Sequence, residues 1–298
     1  METIQTAAPA KLQKGHSPFK LAMKRFIKNK LAIAGIIILL FFTLIAIFAP
    51  FLTTHDPTKS DLLNVMAEPN AENWLGTDSS GRDNFARLVY GSRVTLIIGF
   101  MSMICIIVVG VILGSLAGYY GGIVDGIIMR AADVVLTLPF LLFVLTVIAI
   151  IQDITITLFV IVIAATNWPN ITRILRGTFL SLREKEFILS ARSVGCSDWR
   201  IITKHFLPNA IGPIIVNATI MMATMIILES ALSFVGFGIP QPTPTWGNMV
   251  NEARSMRVLT GAPEAWVPPG MAILLTVLAI NFIGDGLRDA FDPKSSKR

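Results

Sequence analysis

The chain has 298 residues, of which 53% are hydrophobic and only 15% charged. A soluble domain carries about 25% charged residues, so this composition, with its long uninterrupted apolar runs, excludes an ordinary water-soluble domain. The net charge of +6 is placed unevenly: residues 1–30 hold seven Lys or Arg and one acid, which reads as an orientation signal ahead of a membrane span rather than a nucleic-acid arm.

Six apolar runs follow, each near the length of about 20 residues that a helix needs to cross a bilayer core. The first, 31–52, is too long for a signal-peptide core and lacks a small-x-small cleavage site, so it reads as a retained span. The second, 94–119, carries Gly110, Gly114 and Gly118 at spacing four, on one helix face, where a neighbouring backbone can approach closely. The third and fourth, 131–151 and 154–173, are separated only by Gln152 and Asp153, and are expected to form a tight helical hairpin. The fifth is 210–238 and the sixth 268–287. Six spans place both termini on one side. With the N-terminus inside, the internal segments 1–30, 120–130, 174–209, the C-terminal tail and the flanking Arg173 hold 19 of the 25 Lys and Arg. The positive-inside rule therefore predicts N-in, C-in, with 53–93 and 239–267 as outer loops. The expected organisation is a basic internal tail (1–30), the first span with its outer loop (31–93), a core (94–290) containing the long internal loop 174–209, and a short tail (291–298).

The loop 174–209 has the pattern of a structured element. Ser181-Leu-Arg-Glu184 fits a capping box. Phe187, Ile188, Ala191 and Val194 then recur at helical period, with Arg183, Lys185 and Arg192 largely away from them. Gly195 is placed to end that helix in the left-handed conformation. Ser197 is placed to cap a second short helix with Trp199, Ile201, Ile202 and Phe206, closed by Leu207-Pro208-Asn209. The residues alone leave two uses open: docking on a partner protein, or lying on lipid headgroups.

Glu229 is the one ionisable residue deep in an apolar run. A charge at mid-bilayer costs about 2.5–3.5 kcal/mol, so it must face protein or water. It either lines a translocation path or bonds a neighbouring helix near the outer end of its span. In the first outer loop, Thr77-Asp78 and Gly81-Arg82-Asp83 read as a local turn network; a metal site on Asp78 and Asp83 lacks a neighbouring histidine. In the second, Pro240, Pro242 and Pro244 rigidify the chain, and Trp246 and Trp266 suit a membrane interface or contact with another protein. Cys105 and Cys196 imply no disulfide framework. His16, His55 and His205 all lie outside the spans, and no G-x-S-x-G or H-E-x-x-H occurs, which argues against an intramembrane hydrolase. An ion-coupled carrier would need ionisable groups near the midplane, and Glu229 alone is thin support. No Gly-Lys dipeptide occurs, so the chain has no phosphate-binding loop of its own.

The stretch "EFILSARSVGCSDWRIITKHFLPNA" resembles the loop by which permeases of bacterial ABC importers engage their ATPases. That family's pattern is E-A-A, three residues, Gly, nine residues, I-x-L-P; here Leu189, Ser190 and Ala191 are followed by Gly195 and then His205, Leu207 and Pro208. Leu189 and His205 depart from the pattern in the way of the peptide and nickel branch, and Glu186 lies one turn before Ser190. Three further stretches are similar to that branch: "LGTDSSGRDNFARLVYGSR" (75–93), "ESALSFVGFGIPQPTPTWGNM" (229–249) and "NFIGDGLRDAFDP" (281–293). The tail 1–30 matches nothing in it. The resemblance implies an all-α membrane protein of six transmembrane helices, the MetI-like permease bundle, in the bacterial inner membrane. It implies a homologous second permease, two ATPase subunits and an extracytoplasmic solute-binding protein as partners, besides membrane lipid. It implies no cofactor on this chain, with ATP and Mg held by the ATPases. The coupling residues it points to are Glu186, Ser190, Ala191, Arg192, Gly195, Asp198, His205, Leu207 and Pro208. The cargo it implies is an oligopeptide or dipeptide, with nickel as the alternative.

Overall fold

The computed structural model describes residues 18–151 and 154–291, and among these the regular structure is entirely helical. In chain order the helices are α1 (Pro18–Phe26), α2 (Lys30–Ile47), α3 (Ala49–Leu52), α4 (Asn84–Tyr120), α5 (Gly122–Thr137), α6 (Phe140–Ile150), α7 (Ile156–Arg183), α8 (Glu186–Ser193), α9 (Asp198–Ile201), α10 (Leu207–Phe234), α11 (Trp246–Asn251), α12 (Met256–Gly261) and α13 (Pro263–Phe291). A five-residue π turn, Ile202–Phe206, joins α9 to α10 without a break. Side-chain caps start three of the long helices, α2, α4 and α7: Asn29 accepts from the Leu31 and Ala32 amides, Asp83 from Ala86, and Thr155 from Leu158.

Five segments are long and apolar enough to cross a membrane: α2, α4, α7, α9 through α10, and α13. The expected third span is not one straight helix. α5 and α6 meet at 79°, because Pro139 has no amide proton to donate and holds Leu138 in extended backbone (φ −71°, ψ 127°). The pair nevertheless makes the sixth crossing. Gly110, Gly114 and Gly118 of α4 face Ile171, Leu175 and Phe179 of α7 in the same chain direction, so α4 and α7 are parallel and the chain between them must return across the bundle. The expected hairpin turn at Gln152 and Asp153 lies outside the described residues.

The α4–α7 seam is as close as the glycine spacing implied. A Cβ on Gly114 would lie 2.9 Å from Leu175 Cβ, and one on Gly118 would lie 2.5 Å from Phe179 Cβ. Seated on these glycines, Ile171, Leu175 and Phe179 are fully buried and belong to the largest apolar core. A second core joins α2, α4, α10 and α13 around Phe42, Ile226, Trp246 and Ile280. Large apolar side chains such as Ile37, Phe41 and Leu44 remain exposed on the flank of α2, the pattern of a helix whose outer solvent is lipid.

The first thirty residues are not wholly a tail. α1 packs on α13 through Ala22, Phe26 and Ala290, with Phe26 against Gly286. The bundle has two ends. One carries α8 and α9 together with the C-terminus of α4; the other carries α11, α12 and residues 53–83.

Candidate functional site at a clamped loop and the opposite cap

At the α8 end the chain turns twice. The expected capping box does not form: α7 runs through to Arg183, and the Ser181 hydroxyl donates to the Thr178 carbonyl at 2.8 Å inside that helix. Continued apolar packing of α7 on α4 outweighs the local capping signal. Lys185 instead precedes α8, with no side-chain cap.

Gly195 ends α8 as expected, at φ +76°. The Cys196 amide donates to the Ala191 carbonyl at 3.1 Å and the Gly195 amide to Arg192 at 2.9 Å, which together complete a Schellman motif. Ser197 occupies the N-cap position of α9 but its hydroxyl makes no cap bond. Leu207-Pro208-Asn209 does not close a helix there. The Leu207 amide reaches back five residues to Ile202, and this wider turn accommodates the missing amide and the bulk of Pro208, so the helix continues. Asn209 Nδ2 donates to the His205 carbonyl at 2.6 Å.

The apolar residues of the loop divide between two surfaces. Ile188, Ala191, Ile201, Ile202 and Phe206 are buried against the bundle. Phe206 sits between Tyr119 of α4 (centroids 5.5 Å apart) and Phe179 of α7 (5.3 Å). The Tyr119 hydroxyl donates to Asp198 Oδ1 at 2.5 Å, and the Arg192 guanidinium lies 4.8 Å from the Tyr119 ring centroid. α8, α9 and the π turn are thus clamped to the ends of both α4 and α7. Facing outward instead are Phe187, Leu189, Val194 and Trp199, the last two 79% and 75% exposed.

The residues singled out from the sequence therefore fall into two groups. Ala191, Arg192 and Asp198 hold the loop to its own bundle. Glu186, Ser190, Gly195 and Pro208 are exposed, while His205 and Leu207 are half-buried. The ring of Phe187 lies 6.4 Å from that of His205. Sequence reasoning missed Tyr119 and Phe179 as clamp residues; an aromatic in the last turn of a span, level with the Gly118 notch, was the available signal.

Glu229 lies in α10, five residues before its last residue, and is fully buried. Ser233 Oγ donates to its Oε1 at 2.7 Å and Ser230 Oγ to its Oε2 at 3.4 Å. Above it, Thr245 and Asn248 form a reciprocal capping box that starts α11. Trp246 is not at an interface: it is fully buried, its indole donates to the Leu88 carbonyl at 3.1 Å, and it packs edge-on against Phe42 at 5.3 Å. The segment folds back into the bundle, so its aromatic ring joins the core.

The turn network at this end is larger than the sequence indicated. Asp78 accepts from Arg82 Nε at 2.6 Å and also from Arg87, and Arg87 Nη1 donates to Glu252 Oε1 at 2.6 Å. Arg82 Nη2 reaches Gln241 Oε1 at 2.7 Å. Burial pulls the Arg82 guanidinium below its ordinary pKa, and the nearby Glu252 carboxylate opposes this. Asp78 is therefore committed to two arginines, and Asp83 caps α4 and accepts from Asn73 Nδ2 at 2.8 Å. Among the described residues no three metal-binding side chains converge.

Comparison with known proteins places this architecture. The model of the binding-protein-dependent transport system inner membrane component family matches residues 110–297, and the model of the N-terminal transmembrane domain of oligopeptide transport permease C matches residues 17–69. The second match takes in α1, so the N-terminal segment has family counterparts after all. The dipeptide transport system permease protein DppC of Alkalihalophilus pseudofirmus is 44% identical over 93% of this chain and 90% of its own. The oligopeptide transport system permease protein OppC of Bacillus subtilis is 39% identical over 96% and 92%. The glutathione transport system permease protein GsiD of Pectobacterium atrosepticum is 39% identical over 93% and 92%. With the helical bundle and its multiple apolar crossings, these matches establish that the chain belongs to the binding-protein-dependent transport system inner membrane components, the permease subunits of ABC importers.

Proposed function

We propose that this permease carries peptides, and that ATPase subunits drive it through the outward face of α8 and α9. The observation that carries the coupling reading is the exposed apolar row Phe187, Leu189, Val194 and Trp199 on a loop clamped to α4 and α7. A row of that kind on a braced support can receive a partner surface and transmit its displacement. The reading places the α8 end in the cytoplasm and the α11 end outside, facing the solute-binding protein. A homologous second permease completes the translocation path. Closure of the ATPases on ATP and Mg pushes α8 and α9, and the push passes through Phe206 to both α4 and α7 and through the π turn to α10. Peptide cargo is supported by the dipeptide and oligopeptide names of relatives that align along nearly the whole chain.

Val194→Glu and Trp199→Glu alter exposed side chains, so the subunit is expected to fold and insert normally. Copurification of the ATPases should fall at least about tenfold, the equivalent of about 1.4 kcal/mol. Retained ATPase with intact uptake in both variants overturns the docking reading and leaves the loop as a lipid-surface element. Uptake of labelled di- and oligopeptides, set against nickel, by the reconstituted complex tests the cargo separately.

A further inference from the structure

Two cavities meet at Arg93, on the flank of the bundle toward the α11 end. One, of about 510 Å³, is an apolar groove between α2 and α4, with Leu39, Thr43, Leu96, Ile97 and Phe100 along its walls and Met222 of α10 in contact. The other, of about 760 Å³, is lined by Thr53, Thr54, His55, Tyr90 and Pro244, with Arg93 again among its walls. Asp56 also lines this second cavity, where its Oδ1 accepts from the Thr58 amide (2.8 Å) and hydroxyl (2.6 Å). Among the described residues Arg93 itself has no ion-pair or hydrogen-bond partner, and it is exposed.

The depth of Arg93 matters. Arg93 immediately precedes the apolar run 94–119 of α4, which sets it at the headgroup boundary of a hydrocarbon core about 30 Å thick. From Arg93 to Phe100 the groove runs inward for about 10 Å along the helix. An unpaired cation stands at the boundary between headgroups and hydrocarbon. A chamber with threonine, histidine and tyrosine among its walls lies on the water side of it and an apolar channel on the oil side. That sequence of environments is complementary to one class of molecule: an amphiphile with an anionic head and a hydrocarbon tail.

We propose that this is a phospholipid site, with the phosphate of an anionic phospholipid on Arg93, its polar head among Thr53, His55 and Tyr90, and one acyl chain along Ile97 and Phe100. The lipid fills the cleft between α2 and α4.

The test uses the whole importer complex, reconstituted and then purified in mild detergent. Retained phosphatidylglycerol and phosphatidylcholine are quantified by native mass spectrometry. Wild type should retain phosphatidylglycerol in preference to phosphatidylcholine. Arg93→Gln should reduce retained phosphatidylglycerol at least about fivefold, and Arg93→Lys should restore it, which separates loss of charge from loss of fold. Ile97→Trp, which blocks the channel, should lower retention of both lipids. A photoreactive side chain at Ile97 should crosslink to lipid. Equal retention in wild type and Arg93→Gln, or a crosslink to the second permease in place of lipid, overturns the proposal.

Discussion

At the scale of single residues, a few side chains carry energies that substitution can read. Gly118 has no room for a side chain, since a Cβ there would lie 2.5 Å from Phe179 Cβ and 2.9 Å from the Arg176 carbonyl. Gly118→Leu is therefore expected to cost at least the overpacking range of about 1–3 kcal/mol, measured as a lower melting temperature of the detergent-solubilised subunit. Gly177→Ala meets nothing within 4 Å and should leave that temperature unchanged or slightly raised. Glu229 accepts from two serine hydroxyls. Glu229→Gln keeps an acceptor oxygen and should preserve both folding and uptake. Glu229→Leu strands buried hydroxyls, at about 1–3 kcal/mol. A Gln variant that folds yet transports nothing would instead place Glu229 on the translocation path. Arg87 is fully buried between Asp78 and Glu252. Arg87→Leu leaves two buried carboxylates short of a cation and should destabilise the subunit by about 3–5 kcal/mol.

At the scale of elements, much was legible and the exceptions share a cause. Apolar runs located every span, because a bilayer imposes length and apolarity on each helix independently of its neighbours, but α4 begins ten residues before its run and α7 ends ten residues after its own, where the helices continue beyond the apolar stretch. Gly195 and the glycine row of α4 were equally plain, since each reflects a local steric demand. The Ser181 capping box failed because its pattern of two intervening residues is common, and the packing of α7 on α4 extended the helix past it. The stop expected at Pro208 failed because a π turn can absorb a proline, and nothing in the side chains announces i-to-i−5 bonding. The bend at Leu138–Pro139 was legible in the proline but hidden inside a continuous apolar run. The split of the loop into a clamped face and an outward face depends on Tyr119 and Phe179. Tyr119 is distant in sequence, and Phe179, although within 174–209, belongs to α7; both meet Phe206 only in the folded bundle.

At the scale of the whole molecule, the even number of crossings and the two distinct ends set up a direct test of orientation. In a background without Cys105 and Cys196, Leu63→Cys, at a position 96% exposed on the α11 end, should react with a membrane-impermeant maleimide in intact spheroplasts. Val194→Cys should react only after permeabilisation. The opposite labelling pattern reverses the assignment of inside and outside. At the α11 end the ion network from Asp78 to Glu252, the Arg82–Gln241 bond and the buried Trp246 join residues 76–88 to 241–252 across the helix ends.

The parallel seam of α4 and α7 has a mechanical meaning. Two of its notches hold the isomeric side chains of Ile171 and Leu175 and the third holds the ring of Phe179, so sliding by one notch would press that ring into a socket packed around leucine. The seam works as a key cut for a single position, and the two helices act as one stave. Phe206 bears on both at once, so under the proposed coupling torque entering at the clamp is shared between them. Gly114→Leu, far from any partner, should therefore weaken transmission: the complex would still bind ATPase, and peptide-stimulated ATP turnover would fall.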